Sequence, residues 1–155
     1  MSDTPDFTTT FPPHCIAGTK GADFIPETYP KHFEDNYYII NYSDKDLDNG
    51  KLDRSRNIII LKDAFDVFAV KGGNPHTETI LEELNPKMII VYGVATNVCV
   101  DFAVKGLVKR GYTVKAVVDA IMELPETDLM AIYDKWERIG VKLITMKEVR
   151  EIVEK

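Results

Sequence analysis

The clearest order in the chain lies in its second half, where short apolar runs alternate with amphipathic stretches. Residues 57–61, Asn-Ile-Ile-Ile-Leu, form a β-branched run too short for a buried helix and read as a buried strand. Residues 76–84 place Ile80, Leu81 and Leu84 on one helical face, and Asn85-Pro86 ends that helix. A second buried strand follows at 88–92. Residues 97–110 predict an amphipathic helix, with Val100, Ala103, Val104, Leu107 and Val108 at helical spacing and Gly111 as its stop. The pattern then gives a strand at 113–118, a helix at 126–139, a strand at 141–145 and a closing helix at 146–154. Residues 1–35, which hold Pro5, Pro12, Pro13, Pro26 and Pro30, read as irregular. A short strand is expected at 37–40, then a polar loop through 44–56.

Strands alternating with helices predict an α/β domain with a parallel sheet, its crossovers right-handed and its helices on both faces. At 155 residues one domain is expected, spanning 1–155. In such sheets the functional site lies beyond the carboxyl ends of the strands. That rule selects two loops. One begins Lys62-Asp63-Ala64-Phe65; the other runs from Gly93 through Cys99.

Charge narrows the function classes. A formal net charge of -6 and scattered basic residues argue against nucleic acid as a partner. No apolar stretch approaches the ~20 residues that span a bilayer, so no membrane partner is expected. The first residues carry neither a basic region nor an apolar run, so a secretory leader is not expected. Two cysteines, Cys15 and Cys99, make neither a zinc pattern nor a disulfide scaffold, which fits a reducing cytoplasm.

Cys99 falls in the predicted first turn of the helix after the second strand, with Thr96 or Asn97 as N-cap. Unpaired N–H groups and the helix dipole there favour a thiolate and could serve a developing oxyanion. On position alone this nucleophile reading stands level with a cysteine packing helix against sheet. Lys62, directly after a strand, could stabilise that thiolate, although a solvated loop lysine is the commoner reading. His14, beside Cys15 in a Pro-Pro loop, reads as a loop histidine, since two potential ligands are too few for a metal. His32 and His76 read as surface histidines. Asp119 reads as a polar residue opening a loop after the third strand. Gly72-Gly73 lacks the spacing of a phosphate loop. Tyr37, Tyr38 and Trp136 show no base-stacking pattern and read as packing residues.

Three segments together carry a family resemblance. Phe11-Pro-Pro-His-Cys-Ile-Ala-Gly-Thr-Lys-Gly-Ala-Asp-Phe-Ile-Pro26 closely resembles the Pro-Pro-His-Cys loop of nicotinamidases. Tyr92-Gly-Val-Ala-Thr-Asn-Val-Cys-Val100 resembles the nucleophile turn of that family, and Lys62-Asp-Ala-Phe-Asp-Val-Phe68 its catalytic-lysine segment. In order and spacing they are similar to the nicotinamidase/isochorismatase-like cysteine hydrolases over essentially the whole chain.

The resemblance implies a three-layer αβα fold with a mainly parallel sheet. It also implies a thioester route from nicotinamide to nicotinate and ammonia, with Cys99 as nucleophile and Lys62 as the lysine of a Cys–Lys–Asp triad. The Val94-Ala95 peptide would be cis, and the N–H groups of Ala95 and Cys99 would form the oxyanion hole. Phe11 and Phe68 would contact the substrate, a small-molecule amide. His14 would be one ligand of a divalent metal ion (Zn, Fe or Mn), and a homo-oligomer would be expected. Alternatives are a vinyl-ether hydrolase of the isochorismatase type or a carbamoyl-amide hydrolase of the same fold. A truncated, catalytically impaired homologue acting as a binding or assembly subunit is another. The chain departs from the family at its front. Asp3 and Asp6 match the segment before the Pro-Pro-His-Cys loop, not the triad aspartate. The chain is therefore expected to begin after the family's first strand-helix-strand unit, as a fragment, a mis-started product, a degenerate homologue or half of a two-chain site.

Overall fold

The computed structural model describes residues 4–5, 11–16, 18–24 and 37–154. The chain packs as two compact units, Met1–Tyr37 and Tyr38–Lys155. The described part of the first is built of turns, as its prolines and glycines predict. Thr19 Oγ1 donates to the Ile16 carbonyl at 2.7 Å, and a single 3-10 turn spans Lys20–Ala22. Asp3, Asp6 and His32 lie outside the described residues.

The second unit alternates strand and helix in the predicted order. Strand β1 is Tyr37–Ile40, the short strand on which this unit opens, and β2 is Asn57–Ile60. Helix α1 (Thr77–Leu84) ends at Asn85, whose φ of 40° breaks the helical path before Pro86. Strand β3 is Ile89–Val94, helix α2 Asp101–Lys109 and strand β4 Val114–Met122. Helix α3 (Leu129–Arg138), strand β5 (Lys142–Ile144) and helix α4 (Met146–Val153) complete it. Strands β3, β4 and β5 form one sheet in that order, and both pairings are parallel. Strands β1 and β2 form a separate two-stranded sheet. Among the described residues β3 is thus an edge strand, which is why Tyr92 and Val94 are 65% and 70% exposed in a segment whose composition reads as buried.

Two predicted boundaries move for local reasons. Helix α3 starts at Leu129, not at residue 126. Glu126 has a φ of 59°, outside the helical region, and the Asp128 carboxylate accepts from Ala131 N–H at 3.0 Å as the true N-cap. Strand β4 runs four residues past its predicted end through an irregularity, where residues 117–120 stand opposite Tyr92 of β3. Asp119 therefore lies inside a strand and opens no loop. Its carboxylate accepts from Met146 N–H at 2.8 Å, an acid at the start of α4 where the helix dipole favours one.

The core lies between the sheet and its helices. Val100, Val104 and Leu107 at α-helical spacing meet Val114 and Ala116 of β4, together with Trp136 of α3 and Val141. Burying each such aliphatic side chain contributes roughly 1.5–3 kcal/mol, so this cluster fixes α2, and the turn that precedes it, against the sheet.

Helix α4 carries a reciprocal cap. Glu148 N–H donates to Thr145 Oγ1 at 3.4 Å, and the Glu148 carboxylate accepts from Thr145 N–H at 2.8 Å. These bonds from the Thr145 backbone and hydroxyl hold the Glu148 carboxyl below its ordinary value. A carboxyl lowered in the folded state stabilises the fold above its unfolded-state value, and that stabilisation is lost as pH falls through the folded value. Thr145→Ala is expected to cost about 1 kcal/mol at neutral pH. The difference from the parent should shrink below the usual carboxylate range, as urea denaturation at stepped pH would show.

Candidate active site

Lys62 follows β2 and is held by its own loop. The Gly72 carbonyl accepts from the N–H groups of Asp63 and Ala64 at 2.6 and 2.7 Å, closing the segment between them. Asn74, only 3% exposed, binds the ends of both strands. Its Nδ2 donates to the carbonyls of Ile40 at 3.1 Å and Leu61 at 2.9 Å, and its Oδ1 accepts from His76 N–H at 3.0 Å. A buried amide with these bonds made is a rigid strut. In the sequence the Gly72-Gly73 pair before it is a loop signal only. The asparagine beside the proline was the one sign of an ordered turn. The Lys62 ammonium donates to the Ala64 carbonyl at 2.7 Å and to Cys99 Sγ at 3.6 Å.

Cys99 arrives from β3. Gly93 has a φ of 122°, a conformation that suits glycine, and the Val94-Ala95 peptide is cis. The chain then enters a π-helical turn, Thr96–Val100, before α2 begins. The Ala95 carbonyl accepts from Val98 N–H at 3.0 Å and from Val100 N–H at 3.1 Å, the second reaching back five residues. Cys99 thus sits in a widened turn leading into α2, not in the first turn of an α-helix. The expected side-chain cap is also absent. Ala95 holds the cap position, and the Asn97 side chain turns to the loop after β4, accepting from Leu124 N–H at 3.0 Å. Thr96 is fully buried, and its hydroxyl has no hydrogen-bond partner among the described residues.

The other residues singled out in the sequence have these surroundings. The Phe68 ring packs on Gly106 of α2 so closely that a Cβ there would overlap it, and the Arg110 guanidinium stacks 3.8 Å from its centroid. His76 precedes α1 and its Nε2 lies 2.8 Å from the Asp44 carbonyl. In the first unit, Phe11 and His14 meet edge to face with centroids 6.3 Å apart, and His14 Nδ1 lies 2.7 Å from the Pro12 carbonyl. Cys15 is exposed. Among the described residues no group of three or more His, Cys, Asp or Glu side chains is placed to hold a metal ion.

The arrangement is a thiol and an ammonium group brought together from the carboxyl ends of two strands. The isochorismatase domain model matches residues 43–148, which include both. The chain belongs to the isochorismatase family of hydrolases. It is 25% identical over 147 residues to a nicotinamidase/pyrazinamidase of Mycobacterium tuberculosis, covering 93% of this chain and 68% of that protein. Its fold resembles a Streptococcus mutans pyrazinamidase/nicotinamidase (TM-score 0.64, 21% identity, 93% of this chain and 71% of that one). A Bacillus subtilis nicotinamidase is similar to a like degree (TM-score 0.63, 21% identity, 93% of this chain and 69% of that one). No helix among the described residues is long and apolar enough to cross a membrane.

Proposed function

We propose that the chain hydrolyses a small amide, nicotinamide first among candidates, through a thioester on Cys99. The observation that carries this reading is the 3.6 Å approach of Lys62 Nζ to Cys99 Sγ at the carboxyl ends of β2 and β3. The ammonium stands where its charge can offset the negative charge that sulfur carries as it attacks a carbonyl. Attack makes a tetrahedral oxyanion. The N–H groups of Ala95 and Cys99 are assigned as its donors. In support, the Ala95 carbonyl takes the N–H groups of Val98 and Val100 and passes over that of Cys99. Collapse of the intermediate expels ammonia, and water then cleaves the thioester to release the acid. Nicotinamide is preferred over a vinyl ether or a carbamoyl amide for two reasons. One is the Pro-Pro-His-Cys loop; the other is the nicotinamidase/pyrazinamidase relative in Mycobacterium tuberculosis. No step is assigned to a metal.

The test is ammonia and nicotinate appearing together from nicotinamide. Ammonia at the blank rate from nicotinamide, with ammonia and carbon dioxide released from a carbamoyl amide or an alcohol and a carbonyl compound from a vinyl ether, would move the substrate within the family. Blank rates on all three would favour a binding or assembly role. Lys62→Met keeps the length and removes the charge. It is expected to lower kcat/KM by about 10²-fold, the scale of losing one electrostatic group at the reacting centre. Steady-state kinetics on the two proteins would check it.

A further inference from the structure

The Lys62–Cys99 pair is also two nucleophiles in contact. The sulfur is half-buried, so a small oxidant can reach it, and the ammonium nitrogen lies 3.6 Å away. Lys62 is steered by the Ala64 carbonyl at 2.7 Å, which keeps Nζ beside Sγ. Within its own compact unit, the partner placed beside an oxidised Cys99 is thus an amine.

We propose that Cys99 and Lys62 form a reversible sulfur–nitrogen cross-link under peroxide, a modification site that switches the pair off. The inference rests on the reading of Cys99 as a reactive thiolate, and not on which amide is hydrolysed. In the first step the Cys99 thiolate attacks hydrogen peroxide. An S–O bond forms, the O–O bond breaks, sulfur is oxidised by two electrons, and the departing oxygen leaves as water after protonation. In the second, the Lys62 amine, after giving up its ammonium proton, attacks sulfur. The S–N bond forms, the S–O bond breaks, and the leaving hydroxide takes a proton from nitrogen to become water. The sum is the loss of two hydrogen atoms from the protein. A thiol reverses it by attacking sulfur, which frees the lysine and leaves a mixed disulfide that a second thiol reduces. The cross-link consumes the nucleophile and the cation together, and it protects sulfur from further, irreversible oxidation.

The experiment uses the full chain carrying Cys15→Ser, so that no intramolecular disulfide can form. The protein is treated with hydrogen peroxide in several-fold molar excess and followed by intact mass and by peptide mapping. The expected result is a mass lower by two hydrogens, a single joined peptide linking Lys62 to Cys99, and full reversal by dithiothreitol. Lys62→Arg in the same background should lose the joined peptide and instead gain two or three oxygens at Cys99. Peroxide treatment that adds oxygens at equal rates in both proteins, with no joined peptide, would overturn the proposal. Mass is read independently of turnover: a chain inactive on amides can still cross-link, and an active one can fail to.

Discussion

Replacing Cys99 with alanine is expected to abolish ammonia release from nicotinamide, a loss of about 10³-fold or more. In the proposed mechanism the reason is covalent. Without sulfur there is no thioester, and any remaining rate must come from water attacking an amide held beside the oxyanion donors. The fold should be indifferent to the change. Cys99 is half-buried in a turn between β3 and α2, and alanine fits the space while suiting a helical path. Thermal midpoints of parent and variant should therefore agree closely while their rates separate. Cys99→Ser should follow the alanine variant more nearly than the parent, because a hydroxyl beside a lysine is a far weaker nucleophile than a thiolate. Equal ammonia from parent and Cys99→Ala would remove Cys99 from the mechanism.

Much of this site was legible in the sequence, and the reasons are specific. Residues 57–61 and 88–92 are short apolar runs rich in β-branched residues that read as strands, so the residues that follow them fall at the carboxyl rim. That rule selected the loops that hold Lys62 and Cys99, the family resemblance singled out the two residues, and the structure brings them together across 37 positions of chain. What stayed hidden depends on contacts that no local pattern encodes. The π-helical turn at Thr96–Val100 has the same apolar spacing as an α-helix, so periodicity read one continuous helix through it. Asn97 resembles a cap by type, yet a loop 27 residues away offers Leu124 N–H and takes its side chain. Asn74 looks like loop punctuation, and only the convergence of the Ile40 and Leu61 carbonyls makes it a strut. The packing of Phe68 on Gly106, with Arg110 stacked on its ring, is likewise a contact between distant segments.

Trp136 should be the most costly core residue to lose. It is fully buried in the cluster that joins α2, α3 and β4, with Tyr133 tilted against it at 5.8 Å. Its Nε1 donates to Asp101 Oδ1 at 2.9 Å, and the other carboxylate oxygen of Asp101 pairs with Lys105 at 2.6 Å. Trp136→Ala opens a cavity in a packed core and takes away the indole donor, an expected loss of about 3–5 kcal/mol. For a domain of this size that lowers Tm by roughly 10 °C. Trp136→Phe keeps much of the apolar volume and removes only the donor, so it should lie between parent and alanine. Because Trp136 is the sole tryptophan, far-UV circular dichroism is the suitable probe for all three proteins. The effect should reach the active site as well. Asp101 is the first residue of α2, two positions beyond Cys99, so the indole bond anchors the helix that continues the Cys99 turn. Trp136→Phe is accordingly expected to lose amidase activity at a lower temperature than its unfolding midpoint requires. Activity and ellipticity that fall together on heating would show that the Asp101 anchor has no bearing on the turn.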